Sequence, residues 1–155
     1  MKKSAILQAL LSELENDLHR QQAANEKASA GATSSEARAE TKWDTCGLES
    51  SYLARGHAQQ FKALAANVHE LRAFTMPVFA GKPVGPGALV EVDLDEERIL
   101  FFLLPFGGGV ELTVEGREVT VITPESPVGS ALLDKKKGDA FSFRAGSIGK
   151  ILNVE

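Results

Sequence analysis

Thr75-Met76-Pro77-Val78-Phe79-Ala80-Gly81-Lys82-Pro83-Val84-Gly85-Pro86-Gly87 divides the chain into two kinds of sequence. Proline fixes its own φ and lacks an N–H, and glycine favours turns, so neither a helix nor an interior strand continues through such a cluster. Residues 1–75 contain no proline; all six prolines, from Pro77 to Pro127, lie beyond them. The charge divides at the same place. Lys2, Lys3, Arg20, Lys27, Arg38, Lys42, Arg55, Lys62 and Arg72 balance Glu13, Glu15, Asp17, Glu26, Glu36, Glu40, Asp44, Glu49 and Glu70, so the formal net charge of −4 belongs entirely to the second part. A chain of 155 residues, 25% of them charged, suits one or two small domains.

Upstream, the pattern is helical. Leu7, Leu11, Leu14 and Leu18 follow a 4-3-4 spacing that places them on one helix face, with Ser4 as the expected N-cap. Past Leu18 that face turns to Gln22, Asn25 and alanines, and Gly31 to Ser35 is expected to break the helix. Phe61, Leu64, Val68 and Leu71 form a second stripe, in a helix ending near Arg72. Two such helices joined by a connector predict an antiparallel hairpin, or short coiled coil, with arms of about 38 Å. The connector, roughly Ala30 to Leu48, carries Glu36, Glu40, Asp44 and, at its end, Glu49 but almost no aliphatic side chains, with a short helical turn expected at Ser35 to Thr41. The hairpin should therefore be anchored at its base and polar at its tip.

Downstream, the pattern is one of strands. Ala88–Leu94, Arg98–Leu104, Val110–Val114, Glu118–Ile122, Ala140–Arg144 and Ile148–Val154 are rich in β-branched and aromatic residues. Gly107-Gly108-Gly109, Glu115-Gly116 and Lys137-Gly138-Asp139 supply turns, the glycine triplet reading as a hairpin turn, and Ser130–Leu133 reads as a short helix. The expected fold class is α+β: a helical hairpin over residues 1–75 and a β-rich domain over 76–155.

Composition excludes several functions. No apolar run reaches the roughly 18 residues that suggest a membrane span. Lys2 and Lys3 precede an apolar stretch, but Ser12, Glu13 and Glu15 interrupt it, so a secretory signal is not expected and the location should be cytoplasmic. One cysteine, Cys46, forms neither an internal disulfide nor a multi-thiolate zinc site. A net negative chain is poorly suited to bind duplex DNA on its own. His57 and His69 stand twelve residues apart, about 18 Å along a helix, and no His-Glu-x-x-His motif occurs. The 81–87 stretch lacks the spacing of a phosphate loop and precedes a strand, so it reads as a linker. Lys135-Lys136-Lys137 reads as a solvated turn and Cys46 as an exposed thiol. The tip acids are the chemically suggestive group, since carboxylates on a narrow projection can hold Mg²⁺ through one or two oxygens when a partner completes the shell.

Val121-Ile122-Thr123-Pro124-Glu125-Ser126-Pro127-Val128-Gly129-Ser130-Ala131-Leu132-Leu133, followed by Lys135 and Gly138-Asp139, closely resembles the C-terminal domain of the bacterial Gre transcript-cleavage factors. That family carries an Ile-Ser/Thr-Pro-x-Ser-Pro-x-Gly-x-Ala-Leu-Leu stretch leading to Gly-Asp and a strand. The resemblance is strong over 119–143 and weak over 44–74. It implies an FKBP-like C-terminal domain and an N-terminal hairpin that enters the secondary channel of RNA polymerase, with Glu125, Ser126 and Pro127 on the docking surface. It also implies that tip carboxylates reach the polymerase's Mg²⁺, where backtracked RNA is hydrolysed.

Anchored on Tyr52 and Phe61, the family's Gly-Asp-Leu-Ser-Glu-Asn-Ala-Glu-Tyr pattern falls on Asp44-Thr45-Cys46-Gly47-Leu48-Glu49-Ser50-Ser51-Tyr52. Thr45 and Leu48 then occupy the family's acidic positions, and Asp44 and Glu49 each stand one residue away. Asp44 and Glu49 are the candidate catalytic and Mg²⁺-sharing pair, with Glu40 as a possible substitute. The expected partners are RNA polymerase and, through it, nascent RNA; the chain is expected to act as a monomer, away from membranes, with no cofactor of its own and no enzymatic activity of its own. The alternatives are a channel-occupying regulator without cleavage activity and, from the FKBP-like fold alone, a peptidyl-prolyl isomerase.

Overall fold

A computed structural model of the chain describes the backbone of residues 1–33 and 46–155, and the side chains of residues 1–24, 26, 27, 55, 56 and 58–155. The fold is α+β: two long helices, α1 (Lys3–Thr33) and α2 (Cys46–Ala73), precede a six-stranded mixed sheet that carries one short helix. The strands are β1 (Leu89–Leu94), β2 (Glu97–Leu103), β3 (Glu111–Val114), β4 (Arg117–Ile122), β5 (Ala140–Arg144) and β6 (Ser147–Val154), with α3 (Pro127–Leu132) between β4 and β5. The chain divides into two compact units, Met1–Leu11 with Ala73–Glu155, and Ser12–Arg72.

The helices depart from the sequence reading in three respects. Ser4 is not the N-cap: the helix begins one residue earlier, Ala5 N–H donating to the Lys2 carbonyl at 3.0 Å, and Ser4 is exposed within the first turn. Gly31 itself is helical, and α1 reaches Thr33, within the Gly31–Ser35 stretch where the break is expected. A single glycine costs a helix only about 1 kcal/mol, and the alanines around it favour helix. The connector also does not extend to Leu48, because α2 starts at Cys46 and includes Gly47, Leu48 and Glu49. Finally, the buried stripe of α1 is Ile6, Leu10 and Leu14 rather than Leu7, Leu11 and Leu18, which are only half-buried. The i, i+4, i+8 row is shifted by about one position, a rotation of about 100°. The turn expected at Ser35–Thr41 lies outside the described residues.

In the unit Ser12–Arg72, Leu14 and Val68 are buried and Leu71 is fully buried. Arg72, in the last turn of α2, pairs with Glu15 near the start of α1, the pairing that an antiparallel hairpin requires. On the exposed side of α1, Glu13 and Asp17 bracket Arg20 at 3.2 and 3.5 Å. Such exposed pairs stabilise a helix little.

The sheet order is β3-β4-β2-β1-β6-β5, with β2 and β4 parallel and every other neighbouring pair antiparallel. Two consequences follow from that order. The Gly107-Gly108-Gly109 triplet is not a hairpin turn, because β4 lies between β2 and β3 and the loop must cross it. β2 is buried along Leu100–Leu103, as expected for a strand flanked on both sides. One face of the sheet presents Val90, Val92, Leu94, Phe101, Leu103, Ile122, Phe141 and Ile151, and Phe79, Val84, Ala88 and Leu132 complete that core. The alternate residues Leu89, Leu100, Phe102, Val119 and Val121 are also buried. Met1 lines a small pocket with Leu89, Leu100 and Arg117, which brings the chain's first residues to that second set.

The start of α1 therefore belongs with the sheet, although the sequence boundary assigned all of 1–75 to the hairpin. Ile6 and Leu10 are fully buried. The Lys3 ammonium donates to the Pro77 carbonyl at 2.6 Å and the Gly87 carbonyl at 3.2 Å, and lies 5.1 Å from the centre of the Phe79 ring. Burial pushes its pKa below the ordinary lysine value, with the Glu155 charge opposing the shift. Lysine thus closes the 77–87 strap from below, using its stem for packing and its ammonium for orphan carbonyls.

Candidate functional site

The segment that follows β4 forms a raised turn on the sheet-bearing unit. β4 ends at Ile122, whose side chain is in the core, and Leu132 of α3 is fully buried in the same core. Between these two anchors the chain must reverse within a few residues. Ser126 makes the reversal. Its N–H and its hydroxyl both donate to the Thr123 carbonyl, at 3.0 and 2.7 Å, while its Oγ accepts from the Gly129 N–H at 3.0 Å. Ser126 is thus the N-cap of α3, with φ −69° and ψ 151°, and Pro127 is the first helical residue. Both are the residue types these positions prefer: the serine oxygen satisfies a free N–H, and proline has none to satisfy. The helix consequently begins at Pro127, three residues earlier than Ser130.

Gly129 is required by packing. A Cβ there would overlap the Thr123 carbonyl oxygen, which is backbone and fixed by the Ser126 bonds. The Ser-Pro-x-Gly spacing is therefore the local code for this turn: cap, first helical residue and the position that packs on the Thr123 carbonyl.

The turn presents Glu125 and Pro127 to solvent, with Pro124 and Ser126 half-buried beneath them. Among the described residues no cation pairs with Glu125. An unpaired carboxylate on a turn fixed by two prolines and a capped helix loses little conformational entropy on meeting a partner. Of the candidate site residues, Glu125, Ser126 and Pro127 are thus adjacent on one rigid element. The tip pair is different. Asp44 lies outside the described residues, as do Glu40 and Thr45. Glu49 is on the backbone of α2, three residues after its first residue Cys46, and its side chain is outside the described set. His19 and His69 are exposed, and no cluster of three metal-binding side chains occurs among the described residues. No described helix is long and apolar enough to cross a membrane.

No protein family and no curated protein matches the chain. Among solved structures, similar chains include the GreA factor homologue Gfh1 of Thermus thermophilus, at 18% identity over 95% of both chains with a TM-score of 0.38. A second structure of the transcription factor Gfh1 gives 20% identity over 94% of this chain and 93% of that one, with a TM-score of 0.39. Thermus aquaticus Gfh1 gives 18% over 95% and 94%, with a TM-score of 0.38.

Sequence reasoning found the acid-Ser-Pro turn but missed the two features that hold it. The Thr123–Gly129 contact has a sequence signal, a glycine three residues after a serine N-cap, that becomes specific only once the helix start is known. The role of Lys3 as a clamp has no sequence signal at all, because its acceptors lie more than seventy residues away.

Proposed function

We propose that this chain is a Gre-type transcription elongation factor that binds RNA polymerase. The FKBP-like sheet-bearing part would dock through Glu125, Ser126 and Pro127, and the helical hairpin would enter the secondary channel. The observation that carries this reading is the exposed Glu125 on a turn locked by Ser126, Pro127 and Gly129, in the motif where the chain most resembles the Gre factors. A preformed acidic knob suits recognition of a basic or amide-rich protein surface. In the cleavage reaction the chain would not be the enzyme. The polymerase's Mg²⁺ and the tip carboxylates, Asp44 and Glu49, would orient and polarise the attacking water, and the polymerase would carry out the hydrolysis.

A second reading, channel occupancy without cleavage, is favoured by one observation: Thr45 and Leu48 stand at the acidic positions of the family's tip pattern. Against the isomerase reading, Phe101 and Phe102 are buried in the core, and the open hollow that Phe141 borders with Ala131, Leu133 and Ile148 has no second aromatic side chain in its lining. A transcript-cleavage assay on a stalled, backtracked elongation complex separates the first two. Faster cleavage that is lost in Asp44→Ala or Glu49→Ala supports the factor; polymerase binding without cleavage supports the occupant; no polymerase binding removes both.

A further inference from the structure

A concavity of about 570 Å³ lies on the sheet-bearing unit, and Lys82, Lys136 and Lys137 line it together with Phe79, Gly81, Asn153 and Glu155. The lysines come from two turns of the same design. Lys82 closes one, its N–H donating to the Phe79 carbonyl at 2.9 Å, with Gly81 at φ 71° in the third position. Lys136 opens the other, its carbonyl accepting from the Asp139 N–H at 3.0 Å, with Gly138 at φ 93° in the third position. A third-position glycine at positive φ is what a type II turn needs. Val84 bolts the two turns side by side: its N–H donates to the Lys135 carbonyl at 2.7 Å, and its carbonyl accepts from the Asp134 N–H at 3.0 Å. Gly138 N–H and the Ile151 carbonyl, 2.8 Å apart, fix the second turn to β6.

The backbone thus brings three lysines to the lining of one hollow. Among the described residues no carboxylate lies within ion-pair distance of any of the three. This half of the chain carries the whole net charge of −4, so acids are plentiful, yet the acid lining the hollow is Glu155, whose carboxylate already accepts the Asn153 amide at 2.9 Å. Like charges gathered on a concave wall repel one another, and an anion relieves that repulsion. The volume lies within the range of small-molecule sites and exceeds what a single phosphate fills.

We propose that this hollow binds a short chain of linked phosphates, as carried by a nucleoside triphosphate or as free polyphosphate, with Lys82, Lys136 and Lys137 as its charge-reading residues. The proposal does not depend on polymerase binding. The test is isothermal titration of the full chain, without added magnesium, with ATP, inorganic tripolyphosphate and adenosine. Saturable binding of ATP and tripolyphosphate but not adenosine is expected if the phosphates alone are read, and binding of ATP alone would assign the site to a nucleotide. In either case Lys82→Gln/Lys136→Gln/Lys137→Gln should weaken binding by at least about tenfold, and Glu155→Gln should tighten it. Lys2→Gln/Lys62→Gln/Lys150→Gln, which removes the same charge elsewhere, should leave it unchanged. No saturable binding, binding of adenosine as tight as ATP, or equal losses in the two triple variants would overturn the proposal; a thermal melt of each variant establishes that it is folded.

Discussion

Gly129 packs so closely on the carbonyl of Thr123 that no side chain fits between them. Thr123 directly follows strand β4 and Gly129 lies in helix α3, and the Ser126 hydroxyl donates to the same Thr123 carbonyl. The exposed Glu125 is positioned by a contact that it does not itself make.

Gly129→Ala is therefore expected to destabilise the chain by about 1–3 kcal/mol or more, the range for overpacking against a neighbour that cannot yield. Denaturant melts measure it. A loss no larger than that of an exposed alanine substitution would show that the turn can open without cost.

Ser126→Ala removes the cap and one donor to Thr123, and should cost about 1 kcal/mol. Glu125→Ala should change stability by less than about 0.5 kcal/mol, since the side chain is exposed and unpaired. The same two variants in a polymerase-binding assay should rank in the opposite order, with Glu125 the more damaging. Matching ranks would mean that the turn matters only as structure.

Leu10 is fully buried and Leu7 only half-buried. Leu10→Ala should cost about 2–5 kcal/mol and Leu7→Ala distinctly less. Equal shifts of the thermal midpoint would return the buried face of α1 to the Leu7–Leu11 row.

The stripe itself was legible in the sequence, and so were α+β class, the six strands and the turn at 123–127. The phase of the stripe was not. Ile6, Leu7, Leu10 and Leu11 form a continuous apolar band, and only the partner surface decides which edge is buried deepest. The glycine triplet misled for a related reason. Local sequence signals a turn, but whether β2 turns back onto β3 or the loop crosses a third strand depends on pairing between segments distant in sequence. Of the candidate site, the turn at Glu125–Pro127 was readable because cap, proline and glycine act within four residues. The tip acids depend on how two helix ends present their side chains, which spacing alone does not determine.

The hairpin between β1 and β2 turns at Asp95 and Glu96, with φ of 53° and 69°. Two consecutive positive φ values define the turn that Asn-Gly or Asp-Gly fits best. Glu96→Gly should therefore be neutral or stabilising, by up to about 1 kcal/mol, because the relief of left-handed strain opposes the added chain entropy. A clear destabilisation in a chemical melt would place the Glu96 side chain in a stabilising contact.

Lys3 gives a pH signature. Its folded-state pKa lies below the ordinary 10.5, chiefly through burial. Between the two values the unfolded chain holds the proton more tightly, so this group's contribution to stability rises as pH rises through the lowered value and is lost as pH falls. Stability of the wild type relative to Lys3→Met should accordingly increase as pH approaches 10.5. A relative decrease would mean that the carbonyls of Pro77 and Gly87 hold the charged form more strongly than burial opposes it.

The central claim is that the Glu125 turn docks this chain on RNA polymerase. The direct measurement is the affinity of the full chain for purified core RNA polymerase, for the wild type and for Glu125→Lys, with thermal midpoints recorded alongside. The account predicts saturable binding by the wild type and a loss of about tenfold or more in Glu125→Lys at an unchanged midpoint. Wild-type chain that does not bind, or Glu125→Lys that binds equally well, would contradict it.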